Sequence, residues 1–102
     1  MQEFKAELFR TLANPVRIRI LEGLRESGSL TVGEIQQRVS VESSNVSQHL
    51  SILRTHGFVE TRRDGTSIWY SVAVPDVYKL LDVARAIFEK QLSAQSRVLK
   101  AQ

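Results

Sequence analysis

The chain has 102 residues, of which 42% are hydrophobic and 25% charged, as is typical of one soluble globular domain with a modest core. It contains no cysteine, which excludes disulfides, thiolate metal sites and thiol redox switches. The net charge of +3 permits a polyanionic partner without requiring one. We expect a single cytoplasmic domain over residues 1–102, without a membrane span or a signal-peptide core.

Two helices are predicted at the start of the chain. The first, over about residues 2–13, has one apolar stripe with i, i+4 and i+8 spacing. That stripe is formed by Phe4, Leu8 and Leu12. Asn14 followed by Pro15 is a helix-start signal, and apolar residues on most sides of the second helix, which ends near Arg25, indicate that it is largely buried.

The next segment predicts two helices separated by a tight turn. "TVGE" at 31–34 matches a capping box that begins the third helix, and this helix reaches about Val39 before the turn "SVESS". The fourth helix begins near Ser44 and is stopped by Gly57, a C-terminal cap. Its inward stripe consists of Val46, Leu50 and Leu53.

The outer face of the fourth helix is polar, and no Asp or Glu occurs anywhere in residues 43–57. A carboxylate there would be repelled by DNA phosphates, whereas hydroxyl and amide groups can form hydrogen bonds to bases and phosphates. The helical wheel places the following side chains on this face or its flanks: Ser44, Asn45, Ser47, Gln48, Ser51 and Thr55. We therefore predict that helix 44–56 lies in the major groove of double-stranded DNA.

A β-hairpin is predicted over residues 58–72. "FVETRR" and "TSIWYSV" alternate in the manner of strands, and Asp64-Gly65 between them is a two-residue turn signal. Arg62 and Arg63 would then lie at the tip, where they could neutralise phosphates or enter a minor groove. Polar helix faces and paired arginines are often plain solvated surface, so a module for protein–protein association without DNA binding is the alternative.

Pro75 and Asp76 are predicted to open a final helix that extends to about residue 100. Its apolar stripe is longer than the core of so small a domain needs, so part of it should meet a second copy of the chain. The predicted dimer interface comprises Phe4, Leu8, Leu81, Ala84, Phe88, Leu92 and Leu99. The fold class is mainly α with a small β-hairpin, in which four helices are followed by the hairpin and a fifth helix.

"TVGEIQQRVSVESSNVSQHLSILRTHGFVETRRDGTSIWYSV" resembles the winged helix-turn-helix of the ArsR/SmtB family of bacterial transcriptional repressors. The resemblance extends to "FRTLANPVRIRILEGL" upstream and to the last helix. It implies a homodimer, built on the first and last helices, that represses transcription from an imperfect inverted-repeat operator. The DNA contacts that it implies fall on Ser43, Ser44, Ser47 and Gln48, with Arg62 and Arg63 on the wing.

The sequence departs from the family at its metal sites. Sensors with a Cys-x-Cys motif are excluded because the chain has no cysteine. In the other metal-sensing group, alignment of Asp82 with the family aspartate places Ala84, Gln95 and Val98 at the remaining ligand positions. A single carboxylate cannot hold zinc, so no metal and no cofactor are expected. The signal is left open among a small organic molecule, a protein effector and the abundance of the protein itself.

The two histidines are assigned no ligand role. His49 lies at the edge of the apolar stripe, where we expect packing and hydrogen bonding, and His56 is expected to be a solvated residue at the helix end. Ser47 and His49 are two apart on a helix and do not face each other. No catalytic triad follows, and we expect that the protein is not an enzyme.

Overall fold

The computed structural model describes residues 1–40 and 43–101, with side chains for 1–40 and 45–97. The elements, in chain order, are α1 (Gln2–Leu12), α2 (Pro15–Ser27), β1 (Leu30–Thr31), α3 (Val32–Val39), α4 (Ser43–Thr55), β2 (Val59–Asp64), β3 (Ser67–Val72) and α5 (Val77–Ala101). The strands form one antiparallel sheet in the order β1-β3-β2. The predicted fold class is confirmed, with one additional strand.

The junction of α1 and α2 is built as the sequence predicts. The Asn14 side chain accepts hydrogen bonds from the backbone N–H groups of Val16 and Arg17 at 2.9 and 3.2 Å. Pro15 follows at the first helical position, where no backbone donor is needed. The second helix continues two residues beyond the predicted end, to Ser27, and Gly28 closes it with a φ of 82°.

A single apolar core lies among α2, α3, α4 and the sheet. Its most completely buried side chains are Ile20, Leu21, Leu24, Ile35, Val46, Leu50 and Leu53. Val16 and Ile18, on the same central helix, are only half-buried. The second helix is therefore central to the fold but is not enclosed on all sides.

The helix pair α3 and α4 has the predicted caps. Thr31 Oγ1 accepts from the Glu34 N–H at 3.3 Å, and Glu34 Oε1 accepts from the Thr31 N–H at 3.1 Å. Ser40, in the left-handed conformation with φ 55° and ψ 42°, ends α3. Gly57, with φ 79°, follows α4, and the next N–H, from Phe58, bonds to the carbonyl of Leu53 at 2.9 Å. The predicted turn residues 41 and 42 lie outside the described residues.

The strand that the sequence did not predict is β1. Leu30 pairs with Tyr70 and Thr31 pairs with Trp69, which adds β1 to the outer edge of β3. Two residues are too short a run to show the alternation by which a strand is recognised. The same two residues therefore indicated only the start of a helix.

The wing turn lies one residue later than predicted. Asp64 pairs with Ser67, so the loop residues are Gly65 and Thr66, and the assignment of Asp64-Gly65 as the turn was wrong. Gly65 has a φ of 62°, a left-handed conformation that the first loop position of such a turn requires. Arg62 and Arg63 consequently lie within β2, just before the loop.

The last helix begins at Val77, two residues after Pro75, which lies in the preceding turn. Its first turns join the core through buried Val77 and through Tyr78, whose hydroxyl donates to the Leu21 carbonyl at 3.0 Å. Beyond Asp82, every side chain through residue 97 is exposed. The radius of gyration is 16.4 Å, against roughly 13 Å for a compact chain of this length, because this helix projects from the core.

Candidate DNA-binding surface

The helix α4 has one buried face and one exposed polar face. Val46, Leu50 and Leu53 have exposed fractions of 0%, 1% and 0%, which fixes this helix to the core. On the other face of α4, the predicted DNA-contact residues whose side chains are described are all exposed: Asn45, Ser47, Gln48 and Ser51. The backbone of Ser43 and Ser44 forms the first turn of the helix, but their side chains lie outside the described part.

The charge distribution favours an anionic partner at α4 and the wing. Several carboxylates pair with arginines away from this surface, such as Glu26 with Arg38 at 3.1 Å. Arg54, Arg62 and Arg63 are exposed and take part in none of the ion pairs found among the described side chains. Within the described part of the chain, their positive charges are therefore not offset by a paired carboxylate.

The two arginines of the wing lie on opposite faces of the hairpin, because successive strand residues alternate. Arg63 pairs with Ile68 and shares its face with Thr61 and Tyr70. Arg62 pairs with Trp69 and shares its face with Glu60 and Asp64. The two guanidinium groups consequently have different electrostatic surroundings, although the sequence pattern predicted the same role for both.

His49 connects α4 to the preceding helices. Arg17 Nε donates to His49 Nδ1 at 3.2 Å, and Arg17 Nη1 donates to the Thr11 carbonyl at 2.9 Å. Burial and, to a lesser extent, the Arg17 charge lower the pKa of His49. The predicted hydrogen-bonding role of His49 is therefore present in the structure, but its partner Arg17 was missed, because no local pattern relates residues 32 positions apart.

The second histidine faces the first helix. His56 Nε2 lies 3.8 Å from Glu7 Oε1, and 33% of the His56 side chain is exposed. His56 is exposed at the helix end, as expected, and it also lies near Glu7 of α1. Both histidines approach the N-terminal helices from the same flank of α4.

The carboxylate at the position aligned with a family metal ligand is held by a guanidinium. Arg25 donates to both oxygens of Asp82 at 2.7 and 2.9 Å, and its guanidinium carbon lies 4.8 Å from the Tyr78 ring centre. The hydrogen bond from Arg25 is the largest cause that lowers the pKa of Asp82. Among the described residues, no three His, Asp or Glu side chains are grouped as metal ligands would be.

The predicted dimer residues fall into two groups. Phe4, Ala84, Phe88 and Leu92 are exposed, whereas Leu8 and Leu81 are half-buried against the core. The side chain of Leu99 lies outside the described part. Other large apolar residues not assigned to the interface are also exposed: Phe9, Val83 and Ile87. An apolar groove lined by Leu8, Phe58, Val74 and Leu80, among others, runs between α1 and α5.

A short capped helix, a left-handed turn residue, a helix with an exposed polar face and a β-hairpin together define a winged helix-turn-helix protein. Residues 12–62 match the family model described as a helix-turn-helix domain. The chain belongs to the ArsR/SmtB family of DNA-binding transcriptional regulators. This family consists of regulators rather than enzymes. None of the helices in the described part has an apolar stretch sufficient to span a bilayer.

Relatives match over most of the chain. The uncharacterized HTH-type transcriptional regulator Rv0081 of Mycobacterium tuberculosis is 48% identical over 98% of this chain and 88% of its own length. Its crystal structure superposes with a TM-score of 0.83 at 49% identity, covering 92% of this chain and 94% of that one. The biofilm growth-associated repressor of Xylella fastidiosa is 37% identical over 84% of this chain and 77% of its own.

A further solved relative is Mb0332 of Mycobacterium bovis, a homodimeric winged helix-turn-helix DNA-binding domain. Its structure superposes with a TM-score of 0.78 at 29% identity, covering 91% of this chain and 85% of that one. The architecture is thus shared from α1 into α5.

Proposed function

We propose that two copies of this chain form a homodimer that binds an imperfect inverted-repeat operator and represses transcription by obstructing the polymerase. The helix α4 enters the major groove, and the wing lies on the backbone or in the minor groove. The observation that carries this proposal is that α4 has one buried apolar face and one exposed polar face. Its buried stripe is at most 1% exposed, and its acid-free polar face is exposed beside a hairpin with two arginines that form no ion pair with the described side chains.

The proposed base contacts come from the exposed polar face. Gln48 has an amide that can donate and accept at once, the chemistry that reads an adenine edge in the major groove. Shorter polar side chains around it let the helix approach closely and can bond to bases or phosphates. These supporting contacts are assigned to Ser43, Ser44, Asn45, Ser47 and Ser51, and the wing phosphate contacts to Arg62 and Arg63.

The homodimer is supported by apolar surface that one chain leaves uncovered. Phe88 and Leu92 on α5 are 61% and 53% exposed, and Phe4 on α1 is 66% exposed. A second copy that covers these residues would remove a large apolar area from water, which is favourable. The homodimeric state of Mb0332 supports the same assembly. The proposed interface also includes Leu8, Leu81, Ala84 and Leu99.

Repression, rather than activation, is supported by the names of relatives. The regulator from Xylella fastidiosa is a repressor associated with biofilm growth, and a related protein of Streptomyces lividans is a probable repressor of a mercury resistance operon. Occupation of promoter DNA by a dimer is sufficient for this effect.

The proposal is tested by selecting duplexes from a random-sequence pool with the purified protein. We expect enrichment of an inverted repeat whose half-sites lie one helical turn, about 10 base pairs, or a multiple of it apart. Binding should involve two protomers for each duplex and should weaken by orders of magnitude between low and physiological salt. No enriched sequence together with flat salt dependence would instead indicate a module for protein–protein association.

A further inference from the structure

The position of α4 on the core is determined by two kinds of contact. Its apolar stripe packs by contacts that have no directional preference, so this stripe alone permits small rotations of the helix about its axis. Hydrogen bonds depend on direction as well as distance. On the flank of α4 that faces α1 and α2, Arg17 and His49 form a directional contact of this kind.

A single guanidinium joins three elements at this point. Arg17, in the first turn of α2, donates Nη1–H to the Thr11 carbonyl in the last turn of α1 and Nε–H to His49 on α4. Because the planar guanidinium of Arg17 donates to both acceptors at once, it bridges the junction of the three helices as a rigid two-pronged fork. No carboxylate pairs with Arg17 among the described side chains, so its orientation is determined by these two bonds.

The bond assigns a protonation state to His49. Nδ1 accepts the hydrogen bond from Arg17, so this nitrogen carries no proton, and the neutral ring has its proton on Nε2. A protonated imidazole would lose this acceptor and would place a second positive charge beside Arg17. Arg17 from α2 is the charged group that faces His49, and Thr11 of α1 contributes a neutral carbonyl.

We infer that Arg17 is a positioning residue for DNA recognition, which holds α4 at a set rotation through His49 and ties it to the end of α1. The inference rests on the proposed function, because it concerns the presentation of Gln48 and its neighbours to base edges. Since α1 also carries Phe4 of the proposed dimer face, the same fork connects the assembly of the dimer with the orientation of α4.

The test compares variants on one duplex recovered with the native protein by the selection described above. Arg17→Gln and Arg17→Lys should each weaken binding about tenfold, a loss typical of one well-placed hydrogen bond. The lysine variant keeps the charge, but its single ammonium cannot replace two separate guanidinium donors. The salt slope should stay unchanged, because no phosphate contact is removed.

The partner side of the contact is tested with two substitutions. His49→Ala should match the loss of Arg17→Gln, and the double variant should be no weaker than either single variant. His49→Asn, whose amide oxygen can take the place of Nδ1, should restore part of the affinity. Arg19→Gln is the matched control, because it removes the same charge from an exposed neighbouring position on α2.

The results that would overturn the inference are distinct from failure of the proposed function. Native affinity for Arg17→Lys, or a salt slope lowered by about 1 in Arg17→Gln, would make Arg17 a phosphate contact instead. If the Arg17→Gln variant does not fold, nitrogen NMR of His49 in the native protein tests the contact instead. A proton on Nδ1 would show that this nitrogen does not accept a hydrogen bond from Arg17, which would overturn the inference. Absence of duplex binding by the native protein would reject the proposed function itself.

Discussion

Two helices of this protein have similar amphipathic sequences but opposite surroundings. In α4 the apolar side chains Val46 and Leu53 are completely buried, and the polar side faces solvent. In α5 the apolar side chains Phe88 and Leu92 are 61% and 53% exposed, although their four-residue spacing equals that of Val46 and Leu50. The chain therefore provides its own core for the first helix but not for most of the second.

This difference separates the functions that the two helices can perform. A helix whose apolar face is covered within one chain is held in place and can present its polar face to a ligand. A helix with an uncovered apolar face needs a partner surface, and its stability depends on the concentration of that partner. The proposed recognition and assembly roles thus fall on different helices, and substitutions can test them separately.

The largest expected effect comes from Phe88→Glu. Burial of the introduced carboxylate against a second copy would be strongly unfavourable, so sedimentation should show monomers at micromolar concentration. Affinity for a two-half-site duplex should fall by about 100-fold or more, because the link between the two recognition helices is lost. Ala86→Glu adds the same charge to the opposite side of α5 and should remain dimeric. A native dimer of Phe88→Glu would refute the interface.

The buried side of α4 provides the next largest effect. Leu53→Ala should lower the free energy of unfolding by about 2–5 kcal/mol, the usual cost of truncating a fully buried leucine. Leu92→Ala on α5 should instead lower the melting temperature by an amount that depends on protein concentration. Thermal unfolding at several concentrations measures both. Equal, concentration-independent losses would remove the distinction between the two helices.

On the exposed side of α4, Gln48→Ala should change binding without changing stability. We expect a loss of about 1–3 kcal/mol on preferred sites and a smaller loss on random duplex, because a base contact carries the sequence preference. Titration of labelled duplexes measures the two affinities. Uniform weakening on all sequences would exclude Gln48 from base reading.

The smallest effects are expected in the wing, where the two arginines should differ. Arg63→Gln should lower the salt slope by about 1, as the loss of a phosphate contact does. Arg62 shares its face with Glu60 and Asp64, whose negative charges oppose a phosphate, so Arg62→Gln should change the slope less. The two variants carry the same charge change and serve as mutual controls. Equal changes in the salt slope would show that the face of the hairpin on which an arginine lies does not affect its contact with phosphates.

Local features of the fold could be predicted from the sequence because each depends on residues close together in the chain. The Asn14-Pro15 start, the Thr31–Glu34 capping box and the stripe on α4 all occur within one or two helical turns. The opposite faces of Arg62 and Arg63 could also have been predicted, since neighbouring strand residues alternate. The wing register could not, because Asp64-Gly65 fits a type I′ loop and Gly65-Thr66 fits a type II′ loop.

Contacts between segments that are distant in the sequence could not be predicted from these local patterns. The hydrogen bond between Arg17 and His49 and the pairing of Leu30 with Tyr70 depend on how the elements pack. An arginine on a partly buried helix indicates neither its partner nor its role. Consequently, the exposed face of α4 and its buried stripe were identified correctly, whereas the hydrogen bond from Arg17 to His49 on its flank was found only in the structure.

Thr31 belongs to two structural units at once. Its backbone pairs with Trp69 in the wing sheet, and its side chain caps the N-terminus of α3. Separation of the wing from β1 therefore breaks the backbone pairing of the same residue that caps that helix. In hydrogen exchange, the amides of Glu34 and of the β1–β3 ladder should open as one cooperative unit. Deformation of the hairpin on a ligand would then be transmitted directly into the helix pair.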